Sequence, residues 1–82
     1  MTPPASCAVV YWRAGCPFCL VLKVKLRLSR TPHTLVDIRA DAAAAALVRQ
    51  HNGGDELVPT VQVGDVFLSN PSLGAVKAAL AA

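Results

Sequence analysis

Apolar residues in this chain fall in short runs, separated by polar, glycine and proline positions. The first run, Ala8-Val9-Val10-Tyr11-Trp12, is continuous, as expected of a buried strand. Arg13-Ala14-Gly15 supplies a turn. Pro17 suits a first helical position, because it has no N–H to leave unpaired. The next stretch supports two periods. Leu22-Lys23-Val24-Lys25-Leu26-Arg27-Leu28 alternates strictly, which is the strand pattern. Phe18, Leu22 and Leu26 also recur at helical spacing, and Leu, Lys and Arg are good helix formers, so a helix is the preferred reading. Thr31-Pro32 stops it.

A second strand is predicted over residues 34–38. Asp41 then caps a helix running through the alanine tract to about residue 50, and Asn52-Gly53-Gly54 ends it. Pro59 opens a third strand over residues 60–63. Gly64-Asp65 forms a two-residue hairpin turn, and residues 66–68 return. A last helix is expected to start with Asn70 as N-cap and Pro71 at its first position, with Leu73, Val76 and Leu80 as its apolar stripe. The predicted order is β-α-β-α-β-β-α.

The length of 82 residues predicts one domain over residues 1–82, and a hydrophobic share of 54% supplies a core for a compact α/β layer. The net charge of +3 is mild. Lys23, Lys25, Arg27 and Arg30 read as a solvated helix face rather than a nucleic-acid patch, so no nucleic-acid partner is expected. No apolar run approaches membrane-spanning length, so no membrane partner is expected. Residues 1–6 carry no positive region and no long apolar stretch, so a cytoplasmic protein is expected rather than a secreted one. Three cysteines, an odd number, argue against a disulfide framework.

Candidate chemistry centres on Cys16-Pro17-Phe18-Cys19, placed where the first strand turns into the first helix. A thiol there meets unpaired backbone amides, which favour its thiolate. Lowering a thiol pKa by about three units takes about 4 kcal/mol. The helix dipole supplies only ~0.3–2 kcal/mol, so hydrogen bonds to the sulfur, at ~1.5–3 kcal/mol each, have to contribute. The amides of Phe18 and Cys19 are the expected donors, and Arg13 adds a cation three residues before Cys16. Cys16 is therefore the expected nucleophile. Cys19, one turn in, is the expected resolving thiol. Two incidental thiols or half of a zinc site are the alternatives for this pair. The strand–helix context favours a redox pair over the first, and Cys7, His33 and His51 show no paired spacing to complete four ligands, so no metal is expected. Cys7 reads as a small core residue and both histidines as surface residues. Trp12 fits either the core or the rim of the site. Phe18 is expected to be exposed to protein substrates.

Tyr11-x-Arg13-x-x-Cys16-Pro17-Phe18-Cys19 resembles the active-site block of the glutaredoxins, and Val58-Pro59-Thr60-Val61 resembles their later T-V-P-x-V segment. The resemblance implies a thioredoxin-like fold with a central mixed four-stranded sheet flanked by helices. It implies that Pro59 is cis beside the two cysteines, and that the Val58 backbone pairs with the thiol substrate. Glutathione-using members have a Gly-Gly pair and then an acidic residue after the hairpin. This chain has Ser69-Asn70 and then Pro71-Ser72-Leu73, with no carboxylate. That segment, with Asn52-Gly53-Gly54 and Val76-Lys77-Ala78, is similar to the actinobacterial mycoredoxins, which use mycothiol. The Pro17-Phe18 pair departs from the dipeptide that mycoredoxins often carry.

The resemblance implies a thiol–disulfide oxidoreductase that reduces mixed disulfides between proteins and a low-molecular-weight thiol, with mycothiol favoured over glutathione. Cys16 and Cys19 would be catalytic. Arg13, Phe18, Val58, Pro59, Ser69, Asn70 and Ser72 would bind substrate. Its partners would be the small thiol, thiolated client proteins and, indirectly, a flavoprotein reductase. The chain is expected to act as a monomer with no bound cofactor. Two alternatives remain. One is a thioredoxin-like electron donor recharged directly by a flavoprotein reductase. The other is an iron–sulfur carrier, which Pro17 disfavours by stiffening the loop and removing an amide.

Overall fold

A computed structural model describes residues 6–81. The reading of residues 1–6 as lacking a secretory signal falls mostly on residues 1–5, outside the described residues. The elements run β1 (Ala8–Trp12), α1 (Pro17–Leu28), β2 (His33–Asp37), α2 (Ala42–His51), β3 (Thr60–Val63), β4 (Val66–Ser69) and α3 (Leu73–Ala81). The order matches the predicted β-α-β-α-β-β-α. The four strands form one mixed sheet in the order β2-β1-β3-β4. β1 pairs parallel with β2 and antiparallel with β3, and β3 pairs antiparallel with β4.

Strand alternation sends side chains of the central strands to two cores. Ala8, Val10, Val61 and Val63 pack with Leu22 and Leu26 of α1 and Val76 of α3. On the opposite face Tyr11 packs with Ala44, Ala45 and Val48 of α2. The alanine tract thus lets α2 lie close on the sheet. Polar groups inside are paired: the Tyr11 hydroxyl donates to Gln62 Oε1 at 2.7 Å, and Gln62 Nε2 donates to the Gly64 carbonyl at 2.9 Å.

The alternating segment 22–28 is helical, as preferred from its composition. Its alternation has a physical origin. Leu22 and Leu26 face the core, while Val24 and Leu28 face solvent, so α1 is apolar on two sides. β2 begins one residue earlier than predicted, and Ile38 lies just past it, buried, its amide donating to the Trp12 carbonyl at 3.0 Å.

The start of the last helix corrects the sequence reading. Asn70 is not its N-cap and Pro71 is not its first residue, because α3 begins at Leu73. Asn70 has φ +46°, a left-handed conformation, and its amide donates to the Pro59 carbonyl at 2.8 Å. Position 70 still belongs to the turn that ties β4 to the Pro59 segment. Ser72 caps instead: its Oγ accepts from the Ala75 amide at 3.1 Å, and its carbonyl accepts from Val76 at 3.2 Å.

Candidate active site at the start of α1

Gly15, at φ +85°, turns the chain after β1 in a conformation that side chains disfavour, and so delivers Cys16 to the N-cap of α1. Cys16 is extended there (φ −94°, ψ 111°), and its Sγ accepts from the Cys19 amide at 3.3 Å. Across the site its thiol donates to the Val58 carbonyl at 3.6 Å, the longer of the two contacts. Burial alone would push the Cys16 pKa up. Hydrogen bonds from the Cys19 thiol and from the amides of Cys19 and Phe18, with the Arg13 charge, outweigh it and hold the pKa below the ordinary thiol value. Cys19 is opposite in character. It is fully buried, and burial, its hydrogen bond to Cys16 and the neighbouring Cys16 charge push its pKa up to about 11.

Sheet topology explains how Val58 reaches Cys16 across 42 positions of sequence. β3 runs antiparallel to β1, with Tyr11 opposite Thr60, so the start of β3 lies beside the end of β1. The residues just before β3 therefore face the turn that carries Cys16. The Val58–Pro59 bond is cis, and both residues are buried. A polar network holds this segment. Thr60 Oγ1 donates to the Leu57 carbonyl at 2.6 Å. Asn52 Nδ2 donates to the Val48 carbonyl at 2.7 Å and to Thr60 Oγ1 at 3.3 Å. Ser69 Oγ donates to Asn52 Oδ1 at 2.6 Å.

Two grooves flank the start of α1. One, about 350 Å³, is lined by Trp12, Arg13, Cys16, Leu20 and Lys23. Lys23 Nζ lies 3.8 Å above the centre of the Trp12 ring, a cation–π contact. The other, about 240 Å³, lies between Phe18, Val21 and Lys25 of α1 and the turn carrying Asn70, Pro71 and Ser72.

Of the sequence-predicted residues, Cys16, Cys19 and Arg13 sit together, with Val58 and Pro59 across from them. Phe18 is exposed and shares the second groove with Asn70 and Ser72. The Ser69 hydroxyl is engaged by Asn52. Trp12 is half-buried and belongs to both core edge and groove. Cys7 is only half-buried, at the far end of β1 near Thr34, rather than in the core.

Two contributors escaped the sequence reading. The sequence places Lys23 on a solvated face; the structure puts it in the groove beside Cys16, and its spacing, seven residues after Cys16 and four after Cys19, is that of one helix flank. The sequence offers Asn52 as a helix stop and as part of the mycoredoxin-like Asn52-Gly53-Gly54; its side-chain bonds to Thr60 and Ser69 are remote in sequence and leave no signal. Among the described residues, no group of three or more His, Cys, Asp or Glu side chains is placed to hold a metal ion.

The glutaredoxin family model matches residues 8–68. Two Mycobacterium tuberculosis proteins, provisionally named glutaredoxins, are each 43% identical over 72 residues, covering 87% of this chain and 86% of theirs. Among solved structures, the thioredoxin-like protein BC3987 is similar at a TM-score of 0.74 and 21% identity, over 88% of this chain and 97% of that one. The holo form of glutaredoxin C1 from Populus tremula x tremuloides is similar at a TM-score of 0.61 and 23% identity, over 79% of this chain and 68% of that one. These two likenesses bear on the fold, which is thioredoxin-like.

Proposed function

The chain belongs to the glutaredoxin family and is a thiol–disulfide oxidoreductase, and from that premise we propose that it reduces mixed disulfides between proteins and a low-molecular-weight thiol, with Cys16 as nucleophile and Cys19 as resolving thiol. The observation that carries this reading is the split between the two thiols. Cys16 accepts the Cys19 amide and has a lowered pKa, while Cys19 is buried with its pKa pushed up to about 11.

In the first step the Cys16 thiolate attacks the small-thiol sulfur of a mixed disulfide. That S–S bond breaks, the protein leaves as a thiolate and takes a proton from water, and Cys16 is left joined to the small thiol. A second small thiol, as its thiolate, attacks the bound small-thiol sulfur. The symmetrical small disulfide leaves and Cys16 regains its thiolate. A flavoprotein reductase restores the small thiol. On a protein disulfide, Cys19 resolves instead, attacking the Cys16 sulfur. Its high pKa favours this order. Once Cys16 is in a mixed disulfide, its negative charge and its hydrogen bond with Cys19 no longer raise the Cys19 pKa.

The residues proposed to bind substrate divide by place. The Val58 backbone would pair with the incoming thiol beside Pro59, and Arg13 would face its polar end. Phe18, Ser69, Asn70 and Ser72 would line the other side. Ser69, Asn70 and Ser72 offer hydroxyl and amide groups and no carboxylate for an amino group. That supports mycothiol, in the manner of a mycoredoxin in a reducing cytosol, over glutathione. A reductase-coupled assay on one thiolated protein, run in parallel with mycothiol and glutathione, tests it. The expected result is faster turnover with mycothiol; equal or faster turnover with glutathione contradicts the choice of thiol.

A further inference from the structure

α1 has two apolar faces, and among the described residues only one is covered. Leu22 and Leu26 lie in the core. On the outer face Leu20, Val21, Val24 and Leu28 are 61%, 50%, 47% and 79% exposed. At about 100° per residue these four share one arc of roughly 100°. Lys23 and Arg27 border that strip on one side and Lys25 on the other. A contiguous apolar stripe on a helix normally packs against another surface.

Charge indicates what covers the strip. α1 contains no acidic residue, and the five acidic residues of the chain all fall between Asp37 and Asp65. Among the described residues the salt bridge is Arg49–Glu56, which leaves Lys23, Lys25 and Arg27 without a carboxylate partner there. A second copy of this chain, packed α1 on α1, would set these cations against themselves. The strip also starts beside the reactive sulfur, since Leu20 lines the same groove as Cys16.

We propose that the outer face of α1 is the docking surface for a protein partner whose contact face is an apolar strip with acidic flanks, and that docking there presents the partner's disulfide to Cys16. The redox half rests on the function proposed above; the docking half does not.

The test uses synthetic helical peptides carrying a leucine strip flanked by Glu, or by Lys as control. In the binding arm the reactive cysteine is replaced by serine, so fluorescence anisotropy reads docking without thiol chemistry. The Glu-flanked peptide is expected to bind, with affinity falling as salt shortens the Debye length, and the Lys-flanked peptide is not. A Val24→Gln/Leu28→Gln double variant is expected to bind roughly tenfold more weakly, with reduction of a small mixed disulfide unchanged. Equal binding of the two peptides, or wild-type binding by the double variant, overturns the proposal. So does Val24- and Leu28-dependent sedimentation with phosphatidylserine–phosphatidylcholine vesicles without Glu-peptide binding, which marks a lipid surface.

In the second arm each peptide carries its cysteine as a mixed disulfide. A lower KM for the Glu-flanked peptide is expected; equal KM values overturn the link to Cys16. Loss of all small-substrate turnover in the wild-type protein would instead count against the proposed function, and the binding arm would still decide docking.

Discussion

At the residue scale, the Cys16 sulfur is held between opposing influences. Burial and the Val58 carbonyl favour its thiol; the amides of Cys19 and Phe18 and the Arg13 charge favour its thiolate. The second group wins because an N–H aimed at a forming anion strengthens as the charge develops. Thiolate ultraviolet absorbance followed against pH in the reduced protein is expected to show a first step below the ordinary thiol value. Arg13→Ala should move that step up slightly, most visibly at low salt, because its half-exposed charge is screened by solvent. A first step at the ordinary thiol value would mean that the helix start does not activate Cys16. The pair Cys16 and Cys19 was legible at this scale from spacing and context. The polar partners of Asn52 were not, since a side-chain hydrogen bond across eight or seventeen residues leaves no pattern in a single sequence.

At the element scale, two substitutions separate the observed start of α3 from the predicted one. Ser72→Ala removes the cap and is expected to cost about 0.5–2 kcal/mol in denaturant unfolding. Asn70→Gly is expected to be neutral or mildly stabilising, because position 70 needs a left-handed backbone rather than a capping side chain. A larger loss from Asn70→Gly than from Ser72→Ala would restore Asn70 as the cap. The misreading came from applying the Asn-Pro start signal locally, when the Pro59 carbonyl holds the Asn70 amide in a turn. Asn52 joins α2, β3 and the end of β4 through one side chain. Asn52→Ala leaves the Thr60 and Val48 groups short of partners and should cost about 1–3 kcal/mol of stability. By loosening the Val58–Pro59 segment, it should also raise KM for mixed disulfides more than it lowers kcat. An unchanged KM would make Asn52 a purely structural residue. The other elements were legible within a residue or so because each carries its own punctuation: Pro17 and Thr31-Pro32 around α1, Asp41 and Gly53-Gly54 around α2, Gly64-Asp65 between β3 and β4.

At the scale of the whole molecule, antiparallel pairing of β3 with β1 brings the Val58–Pro59 segment to Cys16. The sequence alone carried no register between these strands; the likeness of two short motifs to the glutaredoxins supplied the juxtaposition. The buried thiol adds a global property. Unfolded Cys19 ionises near the ordinary thiol value, while folded Cys19 keeps its proton to about 11. Its contribution to stability is therefore present below the unfolded pKa and lost as pH rises from there toward about 11. Denaturant unfolding of the reduced protein should show this loss, and Cys19→Ala should remove that part of the slope; an identical slope in the variant would place Cys19 in a less shielded setting.

The proposed division of labour between the two thiols is tested most directly by assaying Cys16→Ser and Cys19→Ser on a protein–small-thiol mixed disulfide and on a protein disulfide, with the small thiol as reductant. Cys16→Ser is expected to abolish both reactions. Cys19→Ser is expected to keep most of the first and lose the second, because an outside small thiol replaces Cys19 only where the intermediate is small enough to reach. Complete loss of mixed-disulfide reduction in Cys19→Ser, or its survival in Cys16→Ser, would contradict the assignment of Cys16 as nucleophile and Cys19 as resolving thiol.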